Sequence, residues 1–437
     1  MNNRVKAIWH KVMASDVGRR MARGSFWSFT GTAAARLIVL LAGIVCANLL
    51  GKEFFGQFSM VKSTINMLII FGGTGFGITA TKYISEYKKN DPRKVSSVYC
   101  ITNSFGLASG LAVMILVFCF AAALAANVLH APELTSAMRM AAIVLFMAVF
   151  NMTQQGTLSG FEDFKSIAIN TFIGSLFQSV GMIVGGWYYG VEGAVLGFGL
   201  PFLIMLVLNK WAINRNFSKS GIKLDFHSVN KNDLKILYKY SLPAILSSML
   251  AAPTLWVIRA LLIRHDGFLE LANYEVGESW RAVILFIPAA LTQIILPILS
   301  SVQNEGKNKF WRVTNVNILL NGGIAAAMAL VVCAFAGYIV GFYGQQFDDK
   351  YSVMILALST IFSSVSSVLG VALSSLAHMW TWLLLNLLWA AIAIGLTNVF
   401  LSIGMGALGA AMAMLLSYLV HSINQYVVLR IVTRGNA

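Results

Sequence analysis

Charged side chains are scarce in this chain. They make up 11% of 437 residues, and only 17 of them are acidic against 32 basic. A soluble domain carries about a quarter charged residues, so that class is excluded. Cysteine is scarce too. Cys46, Cys100, Cys119 and Cys333 fall in or beside apolar runs with no zinc or redox spacing, and they read as small buried hydrophobes. The six histidines contain no HExxH pair, so no metal site is expected. No Walker motif is present, which excludes ATP hydrolysis by this chain. No Ser/His/Asp constellation is visible, and no soluble domain exists to hold one. The chain is therefore read as no enzyme, with no cofactor. A net charge of +15 would suggest nucleic acid in a soluble protein. Here the excess lies in short loops, where it sets membrane orientation instead. A cleavable signal peptide is also missing, because the first apolar run is too long for one and no A-x-A site closes it.

What is present is hydrophobic sequence, 58% of positions, with a mean hydropathy of +0.74. Runs long enough to cross a bilayer lie near 25–50, 57–81, 97–126, 137–158, 165–189, 192–214, 240–263, 273–300, 312–340, 351–372, 376–402 and 406–431. The expected fold is all-α: a polytopic membrane protein of about twelve transmembrane helices in two pseudo-symmetric six-helix lobes. Its parts are an N-terminal cytoplasmic segment 1–24, an N-lobe 25–214, a cytoplasmic linker 215–239 and a C-lobe 240–437. The linker is either an amphipathic helix on the inner leaflet or a plain tether. Lysine and arginine favour one side of the loops by about six to one, which predicts both termini in the cytoplasm.

The halves form a degenerate repeat. Gly51-Lys-Glu-Phe-Phe-Gly-Gln-Phe58 and Gly267-Phe-Leu-Glu-Leu-Ala-Asn-Tyr274 stand 216 positions apart, each a loop opening the second span of its half. At that offset Gly72 falls on Pro288, so both second spans are expected to be interrupted, by Gly72–Gly77 in one half and by Pro288 and Pro297 in the other. Broken spans at matching positions point to a transport pathway. The alternative is that the glycines allow close helix packing and the prolines only kink.

Arginine within an apolar span costs about 2.5–3.5 kcal/mol if it faces lipid, so Arg36, Arg259 and Arg281 must face something else. Arg36 lies near mid-membrane, with no carboxylate at comparable depth in its half, and either bonds to carbonyls or Asn side chains or serves an anion. Glu278 and Arg281 are placed to pair on one helix face. Arg259 either snorkels to the outer surface or joins the others in a cationic cavity, with Lys62 one turn inside the second span. Such a cavity suits a diphosphate headgroup, whose oxygens match the guanidinium fork. Asn66, Asn151, Gln154, Gln155, Asn170, Gln178, Gln293, Asn386 and Asn398 are candidates to meet sugar hydroxyls, or else to bond between helices. Glu275 and Glu278 are candidates for ion coupling.

Arg36, the stretch Asn48-Leu-Leu-Gly51-Lys-Glu-Phe-Phe-Gly56-Gln-Phe58, Gly72–Gly77 and Thr81-Lys-Tyr-Ile-Ser-Glu-Tyr87 together resemble the polysaccharide flippases (Wzx-type, for O-antigen or exopolysaccharide) of the multidrug/oligosaccharidyl-lipid/polysaccharide (MOP) exporter superfamily. The resemblance continues weakly through Leu158-Ser-Gly160-Phe161, Pro243, Pro288/Pro297 and Tyr343-Gly344-Gln-Gln-Phe347-Asp348. It implies two lobes in a V and alternating access. It also implies an undecaprenyl-diphosphate-linked oligosaccharide as substrate, crossing the bacterial inner membrane through a cationic cavity for which Arg36, Arg259 and Arg281 are the candidates. The implied partners are that substrate, membrane lipid, and the glycan polymerase and glycosyltransferases of a lipopolysaccharide or exopolysaccharide pathway. The alternative within the superfamily is a cation-coupled drug exporter. That role usually has a carboxylate in the first or seventh span, and this chain has Arg36 and Arg259 there instead.

Overall fold

The structure is a computed structural model that describes residues 16–88, 90–222, 224, 250–302, 306–376 and 378–435. In hydrocarbon a backbone cannot leave its N–H and C=O groups unpaired, and the described chain accordingly runs from helix to helix without a strand. The helices are α1 (Asp16–Leu50), α2 (Lys52–Tyr87), α3 (Pro92–Ala123) and α4 (Thr135–Gly160). Phe164–Lys219 is a pair of arms, α5 (164–188) and α6 (191–219), folded at Tyr189 and Gly190. Ala251–Ile284 is a second pair, α7 (251–266) and α8 (268–284), folded at Gly267. Then follow α9 (Phe286–Val302), α10 (Lys307–Ala334), the short α11 (Ala336–Phe342), α12 (Lys350–Ser375), α13 (Met379–Ser402) and α14 (Gly406–Gly435). Among the described residues nine helices are long and apolar enough to cross a membrane, one of them being the folded α5–α6 pair. The expected linker 215–239 and the start of the seventh span lie mostly outside the described residues, as do residues 1–15.

Helices α1–α6 pack on one another, as do α7–α14, giving two lobes joined chiefly where α2 meets α7 and α8 and, more sparsely, where α1 meets α8. The 216-residue repeat reappears in backbone geometry. Gly51 has φ 78° and ψ 167°, and Gly267 has φ 80° and ψ −175°. Gly190 (φ 58°) and Gly406 (φ 53°) stand at the same offset. Each pair supplies the same left-handed corner, cheap only for glycine, at the same turn of its half.

The expected interruption at Gly72–Gly77 is corrected. α2 is continuous from Lys52 to Tyr87. Its glycines bring α4 close instead: a Cβ on Gly156 would stand 2.1 Å from the Gly77 carbonyl oxygen, and one on Gly77 would stand 2.8 Å from that of Met152. Small residues let membrane helices approach this way. In the other half the helix does break, at Leu285 between α8 and α9, three residues before Pro288.

Aspartates outside the spans hold helix ends. Asp91 and Asp163 accept from the Lys94 and Ser166 amides as N-caps. Asp163 also receives Arg215 and Asn216 from α6, at 3.0 and 2.8 Å. Burial pushes its carboxyl up, but the bonds from Asn216, Ser166 and Arg215 outweigh that and hold it below the usual carboxylate range. The α4–α5 turn is thereby tied to the end of α6.

Candidate functional site

The turns alternate between two ends of the bundle. Lys88, Arg93, Lys94, Lys165, Arg215, Lys219, Lys309 and Arg430 lie toward one end, where the α2–α3, α4–α5 and α9–α10 connections lie. Lys52, Arg139, Arg264 and Lys350 lie toward the other. At the lysine-poor end the lobes are joined. Asn48 donates to the Phe342 carbonyl at 2.6 Å. The Lys52 amide donates to Gln346 Oε1 at 3.1 Å, and Lys52 Nζ pairs with Asp348 at 2.9 Å. The Phe55 ring meets Tyr343 and Phe347 edge-on, with centroids 6.3 and 6.1 Å away. Gly56 lets α2 pass against the Phe268 carbonyl, 2.2 Å from where a Cβ would stand. Deeper in, Trp256 donates to Thr64 at 2.9 Å. The Asp348 carboxyl is held below its usual range, first by the hydrogen bond from Lys52. Further contacts between the lobes, Lys62 with Glu275 and Arg36 with Ala282 and Phe286, continue from this end to the level of Arg36.

Behind that closure a cavity of about 630 Å³ lies between the lobes. Its wall includes Arg36, Lys62, Arg259, Glu275 and Glu278. At about 1.5 Å of rise per residue, Arg36 lies roughly 21 Å from the Leu50 end of α1 and Lys62 roughly 15 Å from the start of α2, inside a core about 30 Å thick.

The arginines differ in their company. Arg259 is buried, and its Nε donates to Glu275 Oε1 at 2.5 Å while Nη1 donates to the Leu255 carbonyl at 3.0 Å. The expectation that Arg259 snorkels outward is therefore corrected, since burying the guanidinium against a carboxylate competes successfully with reaching water. Arg281 donates from Nη1 to both oxygens of Glu278, at 3.0 and 3.2 Å, with Tyr418 5.2 Å beneath its guanidinium. It is buried within the second lobe and does not line the cavity. Glu278 also stands 3.7 Å from Arg259, and Glu275 3.8 Å from Lys62 of the other lobe. Arg36 has no carboxylate among the described residues. It donates across the cleft to the Ala282 carbonyl at 3.2 Å, over the Phe286 ring at 5.0 Å. With Arg281 counted behind the wall as the partner of Glu278, the cluster around the cleft holds four cations (Arg36, Lys62, Arg259, Arg281) and two carboxylates (Glu275, Glu278), an excess of two positive charges.

Of the other sites expected from sequence, Asn151 bonds to the Phe202 carbonyl and to Gln155. Asn170 bonds to Asn209 between α5 and α6. Gln154 is buried, and Asn66 is exposed on α2 away from the cavity wall. The Gln293 side chain lies outside those described. The uncharged polar residues that do line the cavity are Gln155 and Gln178, with Thr32, Thr171, Ser175 and Ser279. Those last four were not singled out from sequence. Helical spacing carries the signal: Thr32 is one turn from Arg36, and Thr171, Ser175 and Gln178 share one face of α5.

The described chain is an all-α bundle of two repeated lobes around a central charged cleft. A solved multidrug MATE transporter of the MOP superfamily, in an inward-facing conformation, has the same fold, with a TM-score of 0.79 and 17% identity over 92% of this chain and 95% of that one. The family model described as "Polysaccharide biosynthesis protein" matches residues 21–303, and the chain belongs to that family, as a protein with several helices long and apolar enough to cross a membrane. Among its relatives, the EPS I polysaccharide export inner membrane protein EpsE of Ralstonia nicotianae is 24% identical over 402 residues, 88% of each chain. The lipid III flippase of Escherichia coli is 25% identical over 293 residues, 65% of this chain and 68% of that one.

Proposed function

We propose that this protein flips a lipid-linked oligosaccharide, an undecaprenyl-diphosphate-linked O-antigen or exopolysaccharide unit, across the bacterial inner membrane by alternating access. The observation that carries this reading is Arg36, a cation deep in the interlobe cleft with one carbonyl and one ring for company. The Arg36–Ala282 bond joins a charged donor to a neutral acceptor, whereas a phosphate brings the opposite charge and two oxygens that match the guanidinium fork, so a phosphate oxygen displaces the Ala282 carbonyl. The excess of two positive charges matches a diphosphate carrying one negative charge on each phosphate.

In this reading the lysine-rich end is cytoplasmic, both termini with it, and the cleft is in the state that loads substrate from the inner leaflet. The lobes are 25–214 and 240–437, with 1–24 and 215–239 on the cytoplasmic face. Diphosphate binding at Arg36 draws Lys62 away from Glu275, and opening of the Lys52–Asp348 end completes the cycle. Glu275 and Glu278 act as counter-ions to Arg259 and Arg281. Cation-coupled drug export would need a carboxylate left free for the cation, whereas both cleft carboxylates already hold arginines.

The test is Arg36→Ala at normal expression in cells that depend on this chain. Surface polysaccharide should fall at least tenfold, with lipid-linked glycan accumulating on the inner leaflet. Unchanged surface polysaccharide overturns the reading, and robust dye efflux with normal glycan export points to the drug exporter.

A further inference from the structure

At the lysine-rich end the two lobes treat their charges differently. In the first lobe α3 and α6 meet there, Tyr99 against Phe217, and cations on these helices have carboxylates. Lys94 stands 3.8 Å from Asp91, and Arg215 3.0 Å from Asp163. The matching seam of the second lobe is α10 against α14. Trp311 of α10 donates from its indole nitrogen to Thr433 of α14 at 3.1 Å and meets the Tyr426 ring edge-on, with centroids 5.5 Å apart. The Arg430 guanidinium stands 4.0 Å over the Trp311 ring and donates from Nε and Nη2 to the Tyr426 hydroxyl, at 3.1 and 2.6 Å. Ring and hydroxyl fix its position, yet the residue is exposed, and both bonds leave Nη1 for another acceptor. Arg312, next to Trp311, is exposed as well. Among the described residues neither arginine pairs with a carboxylate.

The two arginines stand at one level. α10 runs away from this end and α14 runs toward it, so each arginine lies roughly 8 Å inside the end of its helix. From that level exposed apolar side chains lead into the hydrocarbon. Val316 and Leu319 stand one and two turns from Arg312, and Val427 and Ile423 one and two turns from Arg430. The seam is outside the cleft: α9 flanks α10, α13 flanks α14, and no residue of either seam helix lines the cavity. Two cations below a pair of apolar stripes complement a ligand with one anionic head and two hydrocarbon chains. Phosphate fits the head, because its oxygens match the guanidinium fork.

We propose that this seam binds an anionic glycerophospholipid from the leaflet at the lysine-rich end, with its phosphate between Arg312 and Arg430 and its acyl chains along α10 and α14. The bound phosphate ties the two helices together and offsets the repulsion between their guanidinium groups. A zwitterionic lipid brings an ammonium group that opposes both arginines. The site stands whatever the cleft carries.

The experiment titrates brominated phosphatidylglycerol or brominated phosphatidylcholine into mixed micelles of the purified full chain and follows tryptophan fluorescence. Bromine quenches on contact, and the difference between wild type and Trp311→Phe isolates the signal of Trp311. Phosphatidylglycerol should quench that signal at a mole fraction at least about fivefold lower than phosphatidylcholine. With Arg312→Gln and Arg430→Gln combined, the two lipids should quench within about twofold of each other. Arg312→Gln alone leaves the Arg430 stack in place, should lose part of the preference, and serves where the double variant folds poorly. Equal quenching of wild type by the two lipids means ordinary boundary lipid and overturns the site, as does a preference unchanged in the variants. Prenyl diphosphate that reverses the quenching at a lower mole fraction than phosphatidylglycerol assigns the seam to a prenyl lipid and overturns it too.

Discussion

Arg36 in the first lobe and Arg259 and Arg281 in the second are the same side chain within apolar spans, and their surroundings are opposite. The second-lobe arginines are buried, each bonded to a glutamate and stacked near a tyrosine. Arg36 is exposed in the cleft and touches a carbonyl and a phenylalanine ring. A buried pair satisfies its own charge and is committed to the fold. A cation in the cleft without a carboxylate is free to exchange its carbonyl for a ligand. The lobes thus divide the work: the first presents cations and neutral polar groups, and the second presents a scaffold whose charges largely cancel.

That contrast can be broken from the second lobe first. Glu275→Leu strands Arg259 in a buried site, and removing one partner of a buried pair costs about 3–5 kcal/mol. A large fall in melting temperature in detergent should follow, and an unchanged one would show that Arg259 does not depend on Glu275. A smaller effect is expected where the lobes meet. Gly56→Ala pushes a methyl group against the Phe268 carbonyl, an overpacking worth about 1–3 kcal/mol and felt most when α2 and α8 are in contact. In a Phe58→Cys background it should raise labelling of the thiol by an impermeant reagent from the lysine-poor side. No increase would mean that this contact does not hold the closed end.

Smallest is the Lys52–Asp348 pair, whose carboxylate is largely solvent-exposed and therefore worth little. Its lowered folded value means that the contribution is present above the unfolded carboxylate range, about 3.9, and is lost as pH falls through the folded value. Labelling in the same background should be flat between about pH 5 and 8, and Asp348→Asn should change it by less than about twofold. A step near neutral pH would assign the closure to another group.

Most of the fold was legible because hydrocarbon permits so little else: apolar runs became helices, and the offset of 216 reappeared in the φ values of Gly51 and Gly267. The glycine run of α2 was harder. A glycine cluster in an apolar span reads equally as a hinge or as a packing face, and what decides is the presence of Met152 and Gly156 opposite, nearly eighty residues farther along. The Glu278–Arg281 pair could be read from helical spacing, whereas Arg259–Glu275 could not, because it crosses a turn. The two are equidistant from Gly267, and that symmetry was the available signal. Of the polar cavity wall, Gln155 and Gln178 were among many amides of equal standing in sequence, because facing direction is set by neighbours and not by composition.

The central claim is that Arg36 serves a ligand and Arg259 serves the fold. Binding of prenyl diphosphate and melting temperature, measured together on purified Arg36→Ala and Arg259→Ala, test it most directly. Arg36→Ala should lose at least tenfold in affinity at a melting temperature near wild type, and Arg259→Ala should lose several degrees or fail to fold. Wild-type affinity in Arg36→Ala, or a wild-type melting temperature in Arg259→Ala, would contradict it.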